Sequence, residues 1–368
     1  MWMKIRLYLK EMDWLLLAAV VLLASFGLME IYSVALGQGS LNLLNFYKQL
    51  IFVAIGLVLL FFFAFVDYRF LKSLRRYLYF FGVTVLVAVL IFGSSIRGTR
   101  GWFDVAGFGI QPVEIIKIIL LIFLAGYFAD LATKVKTWRH LVVSGVAAAF
   151  LMFLVLMQPD FGSALMLGAI WLIMVILAGF PKKYLVAIFV SSLLIFILAW
   201  SFFFKDYQRQ RLLTFLNPGN NSLVEGYNIS QAIIAVGSGS WHGKGMGLGS
   251  QSQLKFLPEA QNDFIFSVIA EEFGFLGVMV VLLLFSLFFS RCLAAVKRLP
   301  NDFSIYFVLG AAGLIFIQMF INIGMNIGIM PVVGLSLPFI SYGGSSIFSL
   351  FILTGIIENI IIKSKINY

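Results

Sequence analysis

Long apolar stretches recur along almost the whole chain and alternate with shorter polar segments. Each stretch is close to the roughly 17 to 25 residues that a helix needs to cross a bilayer. The pattern predicts ten transmembrane helices, over residues 14–35, 48–66, 77–93, 111–129, 141–157, 162–180, 184–204, 264–290, 304–328 and 339–362. We therefore expect an all-α integral membrane protein, with 1–368 forming a single polytopic membrane domain. The largest polar interruption, 205–263, is predicted to be an extracytoplasmic loop between the seventh and eighth helices.

The composition supports this fold class. Of the 368 residues, 62% are hydrophobic and only 11% are charged, and the mean hydropathy is +1.03. A soluble globular domain carries roughly 25% charged residues, so the chain is not soluble. The single cysteine, Cys292, excludes a disulfide within the chain and a cysteine-based metal site.

The net charge of +10 would suggest a nucleic-acid partner in a soluble protein. In a membrane protein, Lys and Arg accumulate on the cytoplasmic side, and here 17 of the 26 fall in alternate segments that start with the N-terminal one. This bias predicts that both ends of the chain are cytoplasmic, with no role for nucleic acid. The outer basic residues fall only in 94–110 and 205–263, so these loops are predicted to meet an anion. The alternative is that long loops tolerate charge whatever their topology.

Asp263 lies where the polar segment meets the eighth predicted helix. Pro258 is suited to the first position of a helix, which would put Glu259 and Asp263 four residues apart on one helical face. A carboxylate at the membrane surface, partly shielded from water, is suited to act as a general base. The alternative is that Asp263 only caps or solvates the start of a helix.

Four other acidic residues are candidates for a functional or a structural role. Glu271 and Glu272 fall inside a predicted span, where ionisable groups are functional candidates or buried hydrogen-bonding groups. Glu114 and Lys117 are three residues apart, which suggests an ion pair. Alternatively, they could line the mouth of a cavity together with the preceding polar residues Arg100, Trp102, Asp104 and Gln111. Asp160 is predicted to be a turn and cap residue.

Two further polar patterns accompany these residues. Glycines at 237, 239, 243, 245, 247 and 249 resemble a phosphate loop, but Lys244 is followed by glycine and not by Ser or Thr, so the nucleotide motif fails. A mobile backbone that holds an anion, helped by Lys244 and Lys255, remains compatible with the pattern. Asn322, Asn326 and the run 341–346 interrupt the last two spans, which indicates close packing or a broken helix beside a cavity.

Four stretches, taken together and in order, resemble the shape, elongation, division and sporulation family of bacterial membrane glycosyltransferases. They are QPDFGSALM (158–166), DYQRQR (206–211), the segment 243–274 and NIGMNIGIMPVVGLSLPFISYGGSS (322–346). The second stretch, followed by GSQSQLKFLPE, favours the RodA branch over the FtsW branch. The family pattern PE-x-x-x-DF-IF implies that Asp263 is the essential carboxylate. Where the family often has His-Thr before this Asp, the chain has Gln261–Asn262, and Val113 replaces a usual Ser.

The resemblance implies polymerisation of lipid II on the outer face of the cytoplasmic membrane, for cell elongation and rod shape. Asp263 would accept the proton of the attacking sugar hydroxyl, and undecaprenyl pyrophosphate would leave with inversion at the donor carbon. The candidate substrate-binding residues are Arg100, Glu114, Lys117, Arg209, Arg211, Lys244, Lys255 and Glu259. No cofactor is certain; a divalent cation (Mg²⁺ or Mn²⁺) could assist, with ligands that the sequence does not identify.

The resemblance also implies two partners, a class B penicillin-binding protein that crosslinks the product and the cell-elongation machinery. Two other functions are compatible with the chain, namely a transporter (flippase) of lipid-linked precursors and a scaffold that recruits a cell-wall synthase. The few scattered charges in the spans do not form the continuous path that a transporter requires.

Overall fold

Helices occupy most of the apolar stretches. The structure, a computed structural model, describes residues 2–36, 43–96, 98–105, 108–132, 137–202, 209 and 224–366. In chain order the helices are α1 (Trp2–Glu11), α2 (Trp14–Leu36), α3 (Leu44–Phe65), α4 (Tyr68–Ser73), α5 (Arg75–Phe92), α6 (Val113–Ala129), α7 (Trp138–Leu156), α8 (Phe161–Leu177), α9 (Lys182–Phe202), α10 (Val224–Ser238), α11 (Ser250–Gln253), α12 (Ile265–Val296), α13 (Asp302–Asn326) and α14 (Gly344–Ile366).

Within the described residues, seven helices are long and apolar enough to cross a membrane. They are α2, α3, α5, α7, α12, α13 and α14, and each coincides with a predicted span. The predicted spans 111–129, 162–180 and 184–204 are also helical, as α6, α8 and α9, but they fall outside this set. Since α6 and α8 have only 17 residues each, the count of ten spans stays a prediction.

The last helix lies at the centre of the bundle. In α14, 83% of the apolar window is buried, against 22% in the peripheral α5. Two buried amides tie α14 and the chain just before it to α3. At one end Gln49 donates to the Ser341 carbonyl at 3.2 Å, and at the other Asn359 donates to the Ala64 carbonyl at 2.7 Å. These bonds hold two helices that lie almost 300 residues apart in sequence.

The first and last described segments meet at one end of the bundle. The Asp13 backbone N–H donates to Glu358 at 3.0 Å, and the Arg291 guanidinium binds the Asp13 carboxylate through two nitrogens. Lys365 donates to the Glu11 carbonyl at 2.7 Å. Both segments therefore lie on the same side of the bundle, as the prediction of two cytoplasmic ends requires.

The long helix α12 is broken, whereas the sequence predicts an uninterrupted span. Gly274 has φ 63° and ψ −158°, which is not helical. The polar segment packs into the break, where Lys244 N–H donates to the Glu271 carbonyl at 2.9 Å and Phe275 N–H donates to the Ser240 carbonyl at 2.9 Å. A Cβ on Gly274 would lie 2.3 Å from the Gly243 nitrogen, so only glycine fits. The inserted backbone supplies partners for the groups that the break frees.

The predicted extracytoplasmic loop 205–263 contains a helix. In α10, Ile229, Ala232 and Ala235 are buried at a spacing of three residues, and the helix packs against α12 and α13. Polar residues such as Asn228 and Ser230 lower its hydropathy, which is why the sequence pattern does not reveal it. The described part of this segment is therefore a packed element of the fold.

A small antiparallel sheet occupies the polar segment between α5 and α6. Its strands are β1 (Ser94–Ile96), β2 (Thr99–Val105) and β3 (Phe108–Ile110), in the order β1-β2-β3. The Arg100 backbone N–H donates to the Gln158 carbonyl at 3.2 Å, which joins the sheet to the turn before α8. The sheet forms one wall of the cavity described next.

Candidate active site

A cavity of about 370 Å³ opens at the end of the bundle that holds Asp263. It is enclosed by β2, the amino ends of α6, α8 and α14, the turn before α12 and the irregular chain after α13. Its lining consists of Thr99, Trp102, Gln111, Glu114, Pro159, Asp160, Phe161, Gly162, Ser163, Asn262, Asp263, Gln318, Pro331, Val332, Val333, Gly334, Leu335, Ser336, Tyr342, Gly343, Gly344, Ser345 and Ser346. Three of the four stretches that carry the family resemblance contribute to it.

Asp263 reaches the cavity from a turn, and the prediction of a helix opened by Pro258 is wrong. Residues 258–264 form turns, α12 begins only at Ile265, and Glu259 has a positive φ of 55°. The Asn262 N–H donates to the Glu259 carbonyl at 2.9 Å. A turn of this kind directs the Glu259 side chain away from the cavity, where it is exposed and accepts a hydrogen bond from Asn262.

Two asparagines of α13 hold the backbone of Asp263. Asn322 and Asn326 both donate to its carbonyl oxygen, at 3.0 and 2.9 Å. The Asn326 oxygen in turn accepts from the N–H and hydroxyl of Ser267, in the first turn of α12. The asparagines are fully buried, so water does not compete for these bonds. The Asp263 backbone is consequently fixed at the cavity wall, and its carboxylate lies 3.7 Å from where a Cβ on Gly334 would lie.

Glu114 and Lys117 form the predicted ion pair, and Glu114 also belongs to the cavity wall. The Lys117 ammonium lies 2.8 Å from the Glu114 carboxylate, which also accepts from the Ser349 hydroxyl at 3.0 Å. Lys117 is only 3% exposed and lies behind Glu114, which faces the cavity. The negative charge that Glu114 places at the cavity is therefore neutralised by the ammonium group of Lys117.

Asp160 is a cap residue, as predicted, and it lines the cavity as well. Its carboxylate accepts from the Ser163 N–H at 2.9 Å, which caps the amino end of α8, and from the Gln111 side chain at 2.9 Å. The bond to Gln111 joins the start of α6 to the start of α8. Asp160 therefore helps to hold two walls of the cavity together.

The amino ends of four helices converge on the cavity. Its lining includes first-turn residues of α6, α8 and α14, while Asp263 lies two residues before the first residue of α12. Each helix amino end carries a partial positive charge and N–H groups without helical partners. Such ends favour anions, including phosphate groups. The sequence does not reveal this convergence, because it depends on how distant helices pack.

The described basic residues that were predicted to bind substrate lie elsewhere, since no Lys or Arg of the described part of the chain appears in the cavity lining. Arg100 donates to the backbone carbonyls of Gly93 and Ile91, and Arg209 donates to that of Ser201 at 3.3 Å. Lys255 is exposed, with φ of 60°. Arg211 lies outside the described residues. The roles predicted for these residues remain predictions.

Glu271 and Glu272 have the structural role that the sequence allowed. Glu271 is fully buried and binds Lys244 at 2.8 Å, and it also accepts from the Gln251 N–H at 3.0 Å. Glu272 accepts from the hydroxyl of Ser33 and the amide of Gln253. These bonds anchor the polar segment on the broken helix. Lys244 therefore serves the packing of this segment and does not reach the cavity.

Sequence reasoning missed several polar residues of the cavity wall. Gln318 donates to the Ser336 carbonyl at 3.0 Å, and the hydroxyls of Ser336 and Ser346 are 3.3 Å apart. Trp102 was not missed, since the sequence already indicates it among the polar residues that could line the mouth of a cavity; it is half-buried and donates to the Thr99 hydroxyl. The prolines at 331 and 338 and the small residues at 343–346 are the only local signals for this wall. They indicate an irregular chain, and the structure shows that 327–343 has no regular helix or strand.

The acidic residues of the cavity do not fit a divalent cation. No group of three or more His, Cys, Asp or Glu side chains in the described part of the chain could hold a metal ion. Glu114 is engaged by Lys117 and Ser349, and Asp160 by Ser163 and Gln111. A divalent cation therefore remains a sequence-based prediction, and we derive no step through one.

Comparison with known proteins identifies the family. The family model for FtsW, RodA and SpoVE, described as "Cell cycle protein", matches residues 13–366. Stage V sporulation protein E of Bacillus subtilis is 34% identical over 358 residues, which cover 95% of this chain and 96% of the relative. The peptidoglycan glycosyltransferase MrdB of Escherichia coli is 37% identical over 309 residues, with coverage of 84% and 83%.

A solved structure has the same fold. It is a chain from work entitled "Structural coordination of polymerization and crosslinking by a peptidoglycan synthase complex", and it superposes with a TM-score of 0.80 at 30% identity. The match covers 97% of this chain and 98% of the other. The chain therefore belongs to the FtsW, RodA and SpoVE family, and it is a membrane glycosyltransferase.

Proposed function

We propose that this protein polymerises lipid II, the undecaprenyl-pyrophosphate-linked disaccharide pentapeptide, into peptidoglycan glycan strands. The observation that carries the proposal is the position of Asp263. Its carboxylate lines the cavity, while Asn322 and Asn326 bind its backbone carbonyl. The name of the relative MrdB, peptidoglycan glycosyltransferase, supports the same substrate class.

The proposed reaction needs one base and one leaving group. The 4-hydroxyl of the acceptor GlcNAc attacks C1 of the donor MurNAc on the face opposite the leaving group. Asp263 accepts the hydroxyl proton as the new C–O bond forms and the bond from C1 to the pyrophosphate oxygen breaks, so C1 is inverted. A general base must come within about 3 Å of this hydroxyl. The support of the Asp263 backbone by two asparagines favours that geometry, because it fixes the point from which the carboxylate extends into the cavity.

The leaving undecaprenyl pyrophosphate carries negative charge that the site must stabilise. The converging amino ends of α6, α8, α12 and α14 supply partial positive charge. Their N–H groups are in part engaged already, since the Ser163 N–H of α8 donates to Asp160 and the Ser267 N–H of α12 to Asn326. The hydroxyls of Ser336, Ser345 and Ser346 add donors on the same wall. Lys117 contributes through Glu114, since its charge compensates the carboxylate that would otherwise repel the pyrophosphate. The helix ends are therefore proposed to stabilise the leaving group, while the role that the sequence assigns to the loop lysines and arginines stays a prediction.

The orientation in the membrane follows from the charge bias. The segments around Glu11 and Lys365 share the end of the bundle opposite to Asp263, and the bias of Lys and Arg assigns that end to the cytoplasm. The cavity then opens on the outer face of the bacterial cytoplasmic membrane. We further propose a class B penicillin-binding protein as partner and a role in cell elongation; the synthase-complex title of the structural relative supports the former.

The proposal is tested with purified full-length protein and fluorescent lipid II. Asp263→Asn removes the base at nearly constant shape, and we expect at least about a hundredfold loss of glycan-strand formation. Asp302→Asn is the matched control, because Asp302 is exposed at the start of α13, far along the helix from Asn322. It should keep the wild-type rate. Equal polymerisation by Asp263→Asn and wild type would contradict the assignment.

The same preparation separates polymerisation from transport. In liposomes with lipid II on one side only, a transporter moves lipid II across the bilayer without forming strands. Strand formation that depends on Asp263 supports the proposed enzyme. Translocation without strand formation would favour the transporter instead.

A further inference from the structure

A second cavity, of about 570 Å³, lies at the connection between α4 and α5. Its lining consists of Arg69, Lys72, Ser73, Arg75, Arg76, Tyr77 and Phe80. Four of these seven residues are cationic and none is acidic. The cavity is therefore a concentrated positive site, separate from the one that holds Asp263.

This cavity and the glycosyltransferase cavity lie at opposite ends of the bundle. Near the start of α3, Asn45 donates to Gln261, two residues before Asp263. The helix then runs for 22 residues, or about 33 Å at 1.5 Å per residue, before α4 begins. At that far end the Tyr68 N–H donates to Asn359, near the carboxyl end of α14. The basic cavity thus lies at the end that the charge bias assigns to the cytoplasm.

The cavity keeps a net positive charge after its internal partners are counted. Arg75 is paired with Asp130 of the α6–α7 connection. Asp67, the nearest acid on the chain before α4, is paired with Lys363 at 3.1 Å. Among the described residues neither Lys72 nor Arg76 has an ion-pair partner, while Arg69 interacts with the Tyr68 hydroxyl and shares the charge of Asp67 with Lys363. Two to three positive charges of the cavity therefore remain to be balanced. Arg69 and Lys72 lie over aromatic rings at 6.0 and 5.8 Å, which orients their side chains without neutralising them.

The remaining side of the cavity is apolar and faces outward. Tyr77 is 74% exposed and Phe80 is 66% exposed, one turn apart on the spanning helix α5. A soluble anion would contact only the cationic part. A membrane lipid would place its phosphate among the cations and its acyl chains along these rings, and aromatic residues are favoured at this interface.

We propose that this cavity binds the phosphate headgroup of an anionic phospholipid from the leaflet at that end of the bundle. The guanidinium groups of Arg69 and Arg76 donate paired hydrogen bonds to phosphate oxygens, and Lys72 adds a compact positive charge. Basic pockets beside transmembrane helices on the cytoplasmic side bind lipid headgroups in this way. The protein therefore has a binding site for an anionic phospholipid, and this proposal does not depend on the glycosyltransferase assignment.

The test measures lipid retention and not enzyme activity. Full-length protein is released from nanodiscs with equal amounts of phosphatidylglycerol and phosphatidylcholine, and the bound lipids are counted by native mass spectrometry. The variant Arg69→Gln/Lys72→Gln/Arg76→Gln should lower the ratio of retained phosphatidylglycerol to phosphatidylcholine at least about tenfold. The control Arg139→Gln/Lys182→Gln/Lys183→Gln removes three exposed cations from the same predicted side and should change it less than about twofold.

Three outcomes would overturn the proposal. An unchanged ratio in the first variant excludes the cavity as a lipid site, and an equal fall in both variants shows only diffuse charge attraction. Loss of phosphatidylglycerol from the wild type on adding millimolar glycerol 1-phosphate indicates a site for soluble anions. Should the triple variant unfold, Arg76→Gln alone, at an exposed position, is expected to lower the ratio about fivefold.

Discussion

The side-chain amide of Asn326 donates a 2.9 Å hydrogen bond to the backbone carbonyl of Asp263, 63 residues earlier in the chain. The same side chain accepts from the N–H of Ser267, so one asparagine of α13 fixes both the last turn before α12 and the first turn within it. The position of the proposed base is thus set by a residue that does not line the cavity.

Replacing Asn326 should reduce glycan-strand formation by more than the accompanying loss of folded protein explains. Asn326→Ala removes the acceptor of the Ser267 hydroxyl and one of the two acceptors of the Ser267 N–H, which keeps its bond to the Phe264 carbonyl. It also removes one of two donors from the Asp263 carbonyl. We expect a loss of about 1 to 3 kcal/mol in the free energy of unfolding. Because a displacement of about 1 Å at a reacting group costs about a hundredfold in rate, strand formation per folded molecule should fall by one to two orders of magnitude.

The matched control is Asn359→Ala at the opposite end of the bundle. Asn359 is equally buried and binds the Tyr68 N–H and the Ala64 carbonyl. It should lose similar stability yet keep the wild-type rate per folded molecule. Thermal unfolding and strand formation are measured on the same preparations of the two variants. An equal loss of activity in Asn326→Ala and Asn359→Ala would rule out a specific role for Asn326.

Gly274→Ala should strongly destabilise the protein. The added Cβ would lie 2.3 Å from the Gly243 backbone nitrogen, and the backbone dihedral angles at Gly274 suit glycine almost exclusively. We expect at least about 2 kcal/mol of lost unfolding free energy. Gly237→Ala is the control, since a Cβ there meets nothing within 4 Å and the residue lies in helix α10. It should raise stability by up to about 1 kcal/mol. If denaturation curves show Gly237→Ala to be less stable than Gly274→Ala, the close packing of the polar segment against Gly274 is contradicted.

The buried pair Glu114–Lys117 should show strong coupling. Lys117→Met leaves the Glu114 carboxylate in the protein interior without its cation, which costs about 3 to 5 kcal/mol of unfolding free energy. The double variant Glu114→Gln/Lys117→Met removes both charges and should recover much of this loss. A double-mutant cycle of unfolding free energies measures the coupling, and additive effects would show that the pair does not interact as the 2.8 Å distance implies.

Lys244 and Lys255 should differ sharply although both are loop lysines. Lys244→Ala removes the cation bound to the fully buried Glu271, and the three remaining donors to that carboxylate limit the loss to about 1 to 3 kcal/mol. Lys255→Ala changes an exposed side chain and should stay within about 0.5 kcal/mol. Melting temperatures of both variants in the same detergent test this, and equal shifts would contradict the anchoring role of Glu271.

Local pattern was a good guide to the helices and to single residues with unusual chemistry. Apolar stretches predicted the seven long helices, since hydropathy over 20 residues reports directly on membrane burial. Asp263 was found because a carboxylate beside a spanning helix is costly without a purpose. The helix α10 was missed because its buried face is made of small and branched residues between polar ones. The helix expected after Pro258 was wrong because the positive φ of Glu259 turns the chain.

The arrangement of the cavity could not be derived in this way. Asn322, Gln318 and Ser336 look like ordinary polar residues of a packed bundle, and only their long-range contacts show which of them supports Asp263 and which lines the wall. Likewise, Lys244 and Arg100 appeared equivalent as outer cations, but one binds a buried carboxylate and the other binds backbone carbonyls.

The sequence by itself determined that this is a polytopic membrane protein, that its basic residues are unevenly distributed along the chain, and that Asp263 is the foremost candidate for catalysis. Composition and periodicity carry this information because burial in lipid acts on each segment separately. The tertiary structure decided that α12 breaks at Gly274, that four helix amino ends meet at one cavity and that Asn326 fixes Asp263. These features come from contacts between residues far apart in the chain, which no local pattern encodes.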